Sequence, residues 1–400
     1  MSGRATPPNR VPSEKDIDQE SRIAKKTADI RKACDLHDID ALVSSATSEG
    51  GFLRDELRQL AWPILLQCHG TTQDHALSPV DEMTPHRDEE QVQLDVNRSF
   101  VYYPECPDDE LLSKKGELSQ VIKQVLRNYP KLCYFQGYHD IVQVLLLVLG
   151  AEQSAPAIAQ LSLLRIRDYM LPSLSPAVKH LRLIPAIIGT ADRELYRRIS
   201  GIQPFFALSA TLTLYAHDIQ EYSDIARLFD FLIAWEPVVS IYLFVAIILS
   251  RRKELLEIPE DEPEMLHFTL SKLPHPLDLE GLISRALQLF RDHPPESLPS
   301  GIWRNIPWCS VLKTSRNVFK PRSTDTALAY FEKQTAKLRT EERNEKLVGL
   351  LWSHRRTIGS VAVAIFVGTM SIWIRKRGID NTLLSYLDRF KVAFQSRIKL

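Results

Sequence analysis

Apolar residues recur every three or four positions along most of the chain before residue 300, which is the pattern of amphipathic helices. The clearest example is 53–66, where leucine, alanine and isoleucine repeat at this spacing. The stretch 111–126 is similar, 21–46 has a looser apolar face, and 155–200 and 271–292 predict further helices. These patterns predict an all-α protein.

Several stretches are largely apolar and predict the helices of a buried core: 141–149, 205–217, 226–235 and 238–249. The stretch 238–250 carries no charge and resembles a membrane span in composition. A helix of this length reaches only about 20 Å, at about 1.5 Å per residue, whereas a bilayer core needs about 30 Å. We therefore interpret it, like 141–149, as a core helix.

A different apolar stretch, 358–374, predicts a transmembrane helix. It has 17 uncharged residues and is flanked by arginine and lysine on both sides. Its length suits the thinner bilayer of the endoplasmic reticulum, although a buried C-terminal helix has the same composition. Only 26 residues follow residue 374, as in tail-anchored proteins, whose large N-terminal part faces the cytosol.

Changes in composition divide the chain into five segments. We predict a disordered N-terminus at 1–20, a helical domain at 21–305, a charged linker with a helix at 306–356, the transmembrane helix at 357–375 and a short basic amphipathic tail at 376–400.

Charge and cysteine content exclude some classes of function. Lys plus Arg and Asp plus Glu both number 50, so charge gives no indication of nucleic-acid binding, and we expect no nucleic-acid partner. The five cysteines are scattered and form no C-x-x-C pair, which disfavours a zinc site or a disulfide framework. We therefore expect no metal site and no resident cofactor.

Two short motifs carry residues suited to chemistry. In VQLDVNRSF, Asp95 and Arg98 are three positions apart, so a helix would let the carboxylate steer the guanidinium. In LCYFQGYHD, Gln136 is neutral but has both a donor and an acceptor, so it can orient a water without ionising. Gly137 frees the backbone to bend, and Tyr134 anchors the turn. Taken singly, each motif also has a purely structural interpretation. Asp95 and Arg98 could form a surface salt bridge, and Gln136 could lie in a loop and cap a neighbouring helix.

Together, these motifs resemble the signature of the TBC-domain Rab GTPase-activating proteins, I-x-x-D-x-x-R followed by Y-x-Q-G. Val92 stands for the isoleucine, and a third family element, R-x-x-x-W, matches Arg58 and Trp62. A Phe-Ala-Leu-Ser run and an R-L-x-D-F run at 227–231 are also similar to the family. The resemblance covers about 48–300 and implies an all-α, two-lobed TBC-type helical domain around a cleft that holds the GTPase.

The resemblance also implies a role for each residue. Arg98 would be an arginine finger and Gln136 a glutamine finger, both supplied in trans to a Rab family GTPase. Asp95, Tyr134 and Gly137 would support them, and Arg58 and Trp62 would brace the domain. GTP and magnesium would arrive bound to the Rab, because the sequence contains no G-x-x-x-x-G-K-[ST] loop. The chain would then be a GTPase activator rather than an enzyme with its own substrate.

Proteins of the family with a single C-terminal anchor resemble this chain in overall plan. That resemblance implies the membrane of the endoplasmic reticulum or the early Golgi, with residues 358–374 as the membrane contact and ER-to-Golgi traffic as the process. Three alternatives remain: a catalytically silent Rab-binding effector or scaffold, an enzyme of another class, and a purely structural membrane tether. His139-Asp140 has no nucleophile partner in the sequence, which favours a structural hydrogen bond over catalysis.

Overall fold

The computed structural model describes residues 14–68, 77–316 and 323–353, and all regular secondary structure in these ranges is helical. The α-helices, numbered in chain order, are α1 Glu14–Leu36, α2 Ile39–Thr47, α3 Asp55–Leu65, α4 Glu89–Asn97, α5 Asp108–Asn128, α6 Tyr138–Leu164, α7 Ser175–Leu181, α8 Leu183–Ala191, α9 Arg193–Ile199, α10 Leu208–Leu212, α11 Tyr222–Ala234, α12 Val239–Ser250, α13 Arg252–Glu257, α14 Pro263–Leu270, α15 Leu279–Asp292, α16 Ile302–Asn305, α17 Val311–Thr314 and α18 Thr324–Ser353. The predicted transmembrane helix and the tail lie outside the described residues.

The first apolar pattern forms two helices rather than one. The chain reverses at His37, whose φ is 52°, and Asp38 then caps α2 by accepting a hydrogen bond from the Ala41 amide at 3.0 Å. A short carboxylate side chain at this position satisfies an otherwise unpaired amide of the first turn. Helix α1 begins at Glu14, so residues 14–20, placed in the disordered N-terminus by composition, are helical.

Helices α6 and α12 supply much of the core. Residues 239–248 of α12 are buried, and so is nearly all of 141–149 in α6, which confirms both as core helices. Within the described residues, only α6 is long and apolar enough to cross a membrane. Two thirds of its most apolar part (67%) is buried, and Gly150 interrupts it with a φ of 75°. Both features are typical of a core helix.

The compact first unit extends to Thr335, beyond the end predicted for the helical domain at 305. Asp168 is fully buried and accepts hydrogen bonds from Ser310 Oγ at 2.5 Å, the Val311 amide at 3.0 Å and Gln334 Nε2 at 2.7 Å. A buried carboxylate requires such donors, so part of the predicted linker is built into the domain. The second unit begins at Ala336, and its described residues, 336–353, complete α18.

Replacing Gln334 by alanine is expected to lower the free energy of unfolding by about 1–3 kcal/mol, because it leaves polar groups of Asp168 and Arg167 buried without this partner. Urea denaturation of the full chain in detergent, followed by tryptophan fluorescence, measures the change. The exposed Lys337 lies on the same helix, and Lys337→Ala is the control, with an expected change below about 0.5 kcal/mol. Equal effects of the two substitutions would contradict a structural role for Gln334.

Candidate functional site

Arg98 follows directly after α4 and keeps most of its side chain in solvent. Its backbone amide closes the helix by donating to the carbonyls of Asp95 and Val96. The side chain is 65% exposed, and Nη2 donates to Asp95 Oδ1 at 2.6 Å, while the Asp95 side chain is fully buried. Helix spacing thus brings the two residues together, as their sequence positions predict. Nε also donates to the Leu94 carbonyl at 3.4 Å, and the rest of the guanidinium faces solvent.

Gln136 and Gly137 form the turn that starts α6. Gly137 has a φ of 97°, and a Cβ at this position would lie 2.6 Å from Cγ2 of Thr213. Both the backbone angle and the lack of space therefore require glycine. Gln136 is exposed at the tip of this turn, whereas Phe135 and Tyr138 on either side are buried. The glutamine is thus presented on a backbone fixed by its neighbours.

Tyr134 joins the arginine segment to the glutamine turn. Its amide donates to Asp88 Oδ2 at 2.9 Å, and its hydroxyl donates to Asp95 Oδ2 at 2.9 Å. Burial, together with the Asp95 carboxylate, raises the pKa of the Tyr134 hydroxyl well above its ordinary value. The hydroxyl therefore remains a neutral donor, and Asp95 is held on one oxygen by Tyr134 and on the other by Arg98.

A cavity of about 520 Å³ brings the two candidate residues together. Arg98, Gln136 and Gly137 line it, and Val101 and Tyr102 extend its wall with side chains that are exposed to solvent. This cavity combines an exposed cation, an exposed amide and exposed apolar side chains. Such a surface can receive a protein that carries a charged group.

Arg58 and Trp62 lie elsewhere, in the core of the domain, and do not line this cavity. Arg58 Nε donates to Asp230 Oδ1 at 3.0 Å, and Trp62 Nε1 donates to the same oxygen at 2.8 Å. The backbone amide of Phe52 donates to Asp230 Oδ2 at 2.9 Å. These contacts stabilise the packing of α3 on α11. Asp230 is the aspartate of the R-L-x-D-F run, but the run alone does not identify its partners.

Sequence reasoning missed several polar residues around the cavity. Asp140 contacts two histidines: His139 Nε2 lies 3.2 Å from Oδ1, and His217 Nδ1 lies 3.0 Å from Oδ2. The hydrogen bond to Asp140 raises the pKa of His217. Gln143 accepts a hydrogen bond from the Phe100 amide at 2.9 Å, which fixes the segment after Arg98. The only signal in the sequence was the His139-Asp140 pair, interpreted there as structural.

Similarities to known proteins agree with this fold and these motifs. Residues 55–256 match the family model of the Rab-GTPase-TBC domain. Over 310 residues, the chain is 34% identical to the GTPase-activating protein gyp10 of Schizosaccharomyces pombe, an alignment that covers 76% of this chain and 82% of that protein. Over 378 residues, it is 35% identical to TBC1 domain family member 20 of Bos taurus, and the alignment covers 92% of each chain.

A solved structure shows the same fold. The Chlamydomonas flagellar RabGAP TBC domain superposes with a TM-score of 0.51, covering 69% of this chain and 96% of that one. The sequence identity is 15%, so this likeness concerns the fold alone. The family match and the relatives together decide the assignment: the chain belongs to the TBC-domain family of Rab GTPase-activating proteins.

Proposed function

We propose that this chain accelerates GTP hydrolysis by a Rab GTPase of the early secretory pathway, with Arg98 as an arginine finger and Gln136 as a glutamine finger. The observation that carries the proposal is the placement of these residues. An exposed guanidinium and an exposed amide line the same cavity, and the backbone under each is fixed by buried neighbours. The relatives named GTPase-activating proteins support the same activity.

Arg98 has the properties that phosphoryl transfer requires of a finger. Negative charge develops on the γ-phosphoryl and leaving oxygens as GTP is cleaved, and an arginine inserted from outside neutralises it. A guanidinium is always charged and can donate to two oxygens at once. Asp95 holds one nitrogen of Arg98, which restricts its orientation while most of the side chain stays in solvent. The residue therefore reaches the nucleotide with little reorganisation.

Gln136 supplies the second requirement, an oriented attacking water. Its carbonyl accepts a hydrogen bond from the water, and its amide group donates one to a neighbouring oxygen. The tight turn at Gly137 lets the backbone of the loop approach the GTPase closely. GTP and magnesium come bound to the Rab, and this chain contributes positioning and charge.

We place this activity on the membrane of the endoplasmic reticulum or the early Golgi, with the TBC domain facing the cytosol. The support is in the sequence: the uncharged stretch 358–374 and its basic flanks. A helix of this kind would keep the fingers near membrane-bound Rabs and raise their local concentration.

The experiment that tests the proposal is single-turnover GTP hydrolysis by a panel of purified, GTP-loaded Rabs, with the full chain added in mild detergent. We expect acceleration of one or two Rabs by about 10³-fold or more. Binding without acceleration on every Rab would instead identify a silent effector or scaffold. A chain without residues 357–400 that keeps its activity in solution would exclude a purely structural tether.

Replacing Gln136 by alanine is expected to reduce the maximal single-turnover rate by about 10²–10³-fold, the range for loss of one group that acts on the transition state. The affinity for GTP-bound Rab, measured by fluorescence polarisation, should change little, because one exposed side chain is lost from a large interface. Gln288 is exposed and lies outside the cavity, so Gln288→Ala is the matched control. A rate that remains within threefold of wild type would rule out the glutamine finger.

A further inference from the structure

Along the wall of the cavity, polar side chains form a continuous series of contacts from the arginine to the far side of the glutamine turn. Arg98 contacts Asp95, the Asp95 carboxylate lies 3.8 Å from His139 Nδ1, and His139 Nε2 lies 3.2 Å from Asp140. His217 completes the series at 3.0 Å from the second oxygen of Asp140. Neither motif accounts for the two histidines, and no step of the proposed hydrolysis uses them.

His139 occupies the middle of this series. Its side chain is 10% exposed, and its two ring nitrogens face different carboxylates, Asp95 on α4 and Asp140 on α6. Two carboxylates of the same charge repel each other, and a ring with N–H donors between them offsets part of that repulsion. Because Asp95 holds Arg98 and Asp140 follows Gln136 in the same turn, the histidine joins the supports of both fingers.

The contacts of His139 with its neighbours depend on whether one or both ring nitrogens carry a hydrogen. A carboxylate only accepts, so the tautomer with a hydrogen on Nε2 suits the 3.2 Å contact with Asp140 Oδ1. The Tyr134 hydroxyl has one hydrogen and two neighbours, Asp95 Oδ2 at 2.9 Å and His139 Nδ1 at 3.3 Å. If Nδ1 also carries a hydrogen, it donates to the Tyr134 oxygen, and Tyr134 donates to Asp95. A protonated ring therefore satisfies every contact of the series.

We propose that His139 is a positioning residue, which orients Arg98 through Asp95 and couples that orientation to the turn of Gln136. The proposal rests on the two-finger function and goes beyond it. We do not assign His139 as a third finger. Its ring is nearly buried, and its two nitrogens face Asp140, Asp95 and Tyr134.

The pKa of His139 depends on the charged and titratable groups that face its ring. Burial lowers the pKa of His139 from its ordinary 6.5, His217 and Arg98 act in the same direction, and Asp140 and Asp95 oppose them. Tyr134 stays neutral over the whole range. The ring therefore gains its second hydrogen only as the pH falls below 6.5, and its contribution to the orientation of Asp95 increases in that direction.

The test compares wild type, His139→Phe and His139→Gln as full chains in detergent, with a Rab that the wild type accelerates. Phe keeps the ring without nitrogens, and Gln keeps one donor. We expect His139→Phe to lower the saturating single-turnover rate about tenfold, with half-saturating Rab concentration within twofold of wild type, since misplaced groups lose rate rather than binding. His139→Gln should recover part of the rate. The ratio of the wild-type to the Phe rate should rise as the pH falls through the His139 pKa.

Two controls separate positioning from folding. His180 belongs to another buried His–Asp pair, 3.1 Å from Asp168 and outside the cavity, so His180→Gln should lower the melting temperature and leave the saturating rate unchanged. In a double-mutant cycle, Asp95→Asn combined with His139→Phe should lose no more rate than Asp95→Asn alone, because both act through one contact.

The outcomes are distinct. Rates of both His139 variants within twofold of wild type, a ratio independent of pH, or additive effects with Asp95→Asn would each overturn the positioning role while leaving the fingers in place. If wild type and Arg98→Ala accelerate GTP hydrolysis equally on every Rab, the two-finger function fails, and the positioning role is overturned with it.

Discussion

Replacing Arg98 by alanine is expected to reduce the single-turnover rate of Rab GTP hydrolysis by about 10³–10⁵-fold, the range that an arginine finger contributes. The substitution removes the only arginine or lysine among the described residues that line the cavity. The fold should be little affected, because the buried Asp95 carboxylate keeps hydrogen bonds from the Tyr134 hydroxyl and from Gln91 Nε2. Phosphate release after rapid mixing with GTP-loaded Rab measures the rate.

Arg98→Lys tests the geometry of the charge. Lysine keeps the charge as a point but cannot donate to two oxygens in one plane, so we expect it to recover less than a tenth of the wild-type rate. Arg304 is exposed and lies outside the cavity, so Arg304→Ala should behave as wild type. An Arg98→Ala variant that retains the wild-type rate would mean that the cavity docks a GTPase without acting on it.

The sequence predicts the contact between Asp95 and Arg98 because that contact is local. Three residues separate them, and helix geometry alone places such a pair together. The same reasoning cannot find Tyr134, which is 39 residues from Asp95 and holds its other oxygen. Nor can it find His217, which is 77 residues from Asp140. Long-range hydrogen bonds depend on how helices pack, and spacing along one helix carries no information on them.

Hydrophobic periodicity also does not show that the compact unit extends to Thr335, for a related reason. Residues 306–335 are polar and have few regularly spaced apolar residues, which is the composition of a linker. Two residues of this range satisfy a buried charge, because Ser310 and Gln334 both donate to Asp168. Arg167 in turn donates to Gln334 and to the Cys309 carbonyl. Burial would raise the pKa of Asp168, but His180, Arg167 and Ser310 hold it at about 2. Hydrophobic periodicity cannot identify a segment that is held in the domain by polar contacts.

The two arginines of the signature differ in what surrounds them. The Arg58 side chain is 7% exposed and contacts Asp55 and Asp230, whereas the Arg98 side chain is 65% exposed and has one carboxylate partner. A guanidinium enclosed by carboxylates stabilises structure and cannot reach a partner protein. An exposed guanidinium that pairs with a single carboxylate can reach a partner protein. Burial therefore separates a bracing arginine from a candidate finger where the sequence gives both as motif positions.

Replacing Asp230 by alanine is expected to lower the free energy of unfolding by about 3–5 kcal/mol, because it leaves a buried cation without its main partner. Arg58 would lose the bonds from Nε and Nη2, and the Trp62 indole and the Phe52 amide would each lose an acceptor. Gly51 could not be replaced to fill the gap, since its φ is 53° and its Cβ would lie 2.9 Å from Cδ of Arg227. Urea denaturation of the full chain in detergent measures the loss.

Two further variants identify the cause of that loss. Asp230→Asn keeps the shape and one acceptor oxygen but removes the charge, so its loss should lie between wild type and Asp230→Ala. Glu254 pairs with Arg251 at the surface with its own side chain 55% exposed, and Glu254→Ala should change the unfolding free energy by less than about 1 kcal/mol. Equal losses for Asp230→Ala and Glu254→Ala would show that the Arg58–Asp230 pair braces nothing. With the expected order, Arg58 and Trp62 hold α3 on α11 through one carboxylate, and their place in the signature reflects the stability of the domain rather than the activity proposed for Arg98 and Gln136.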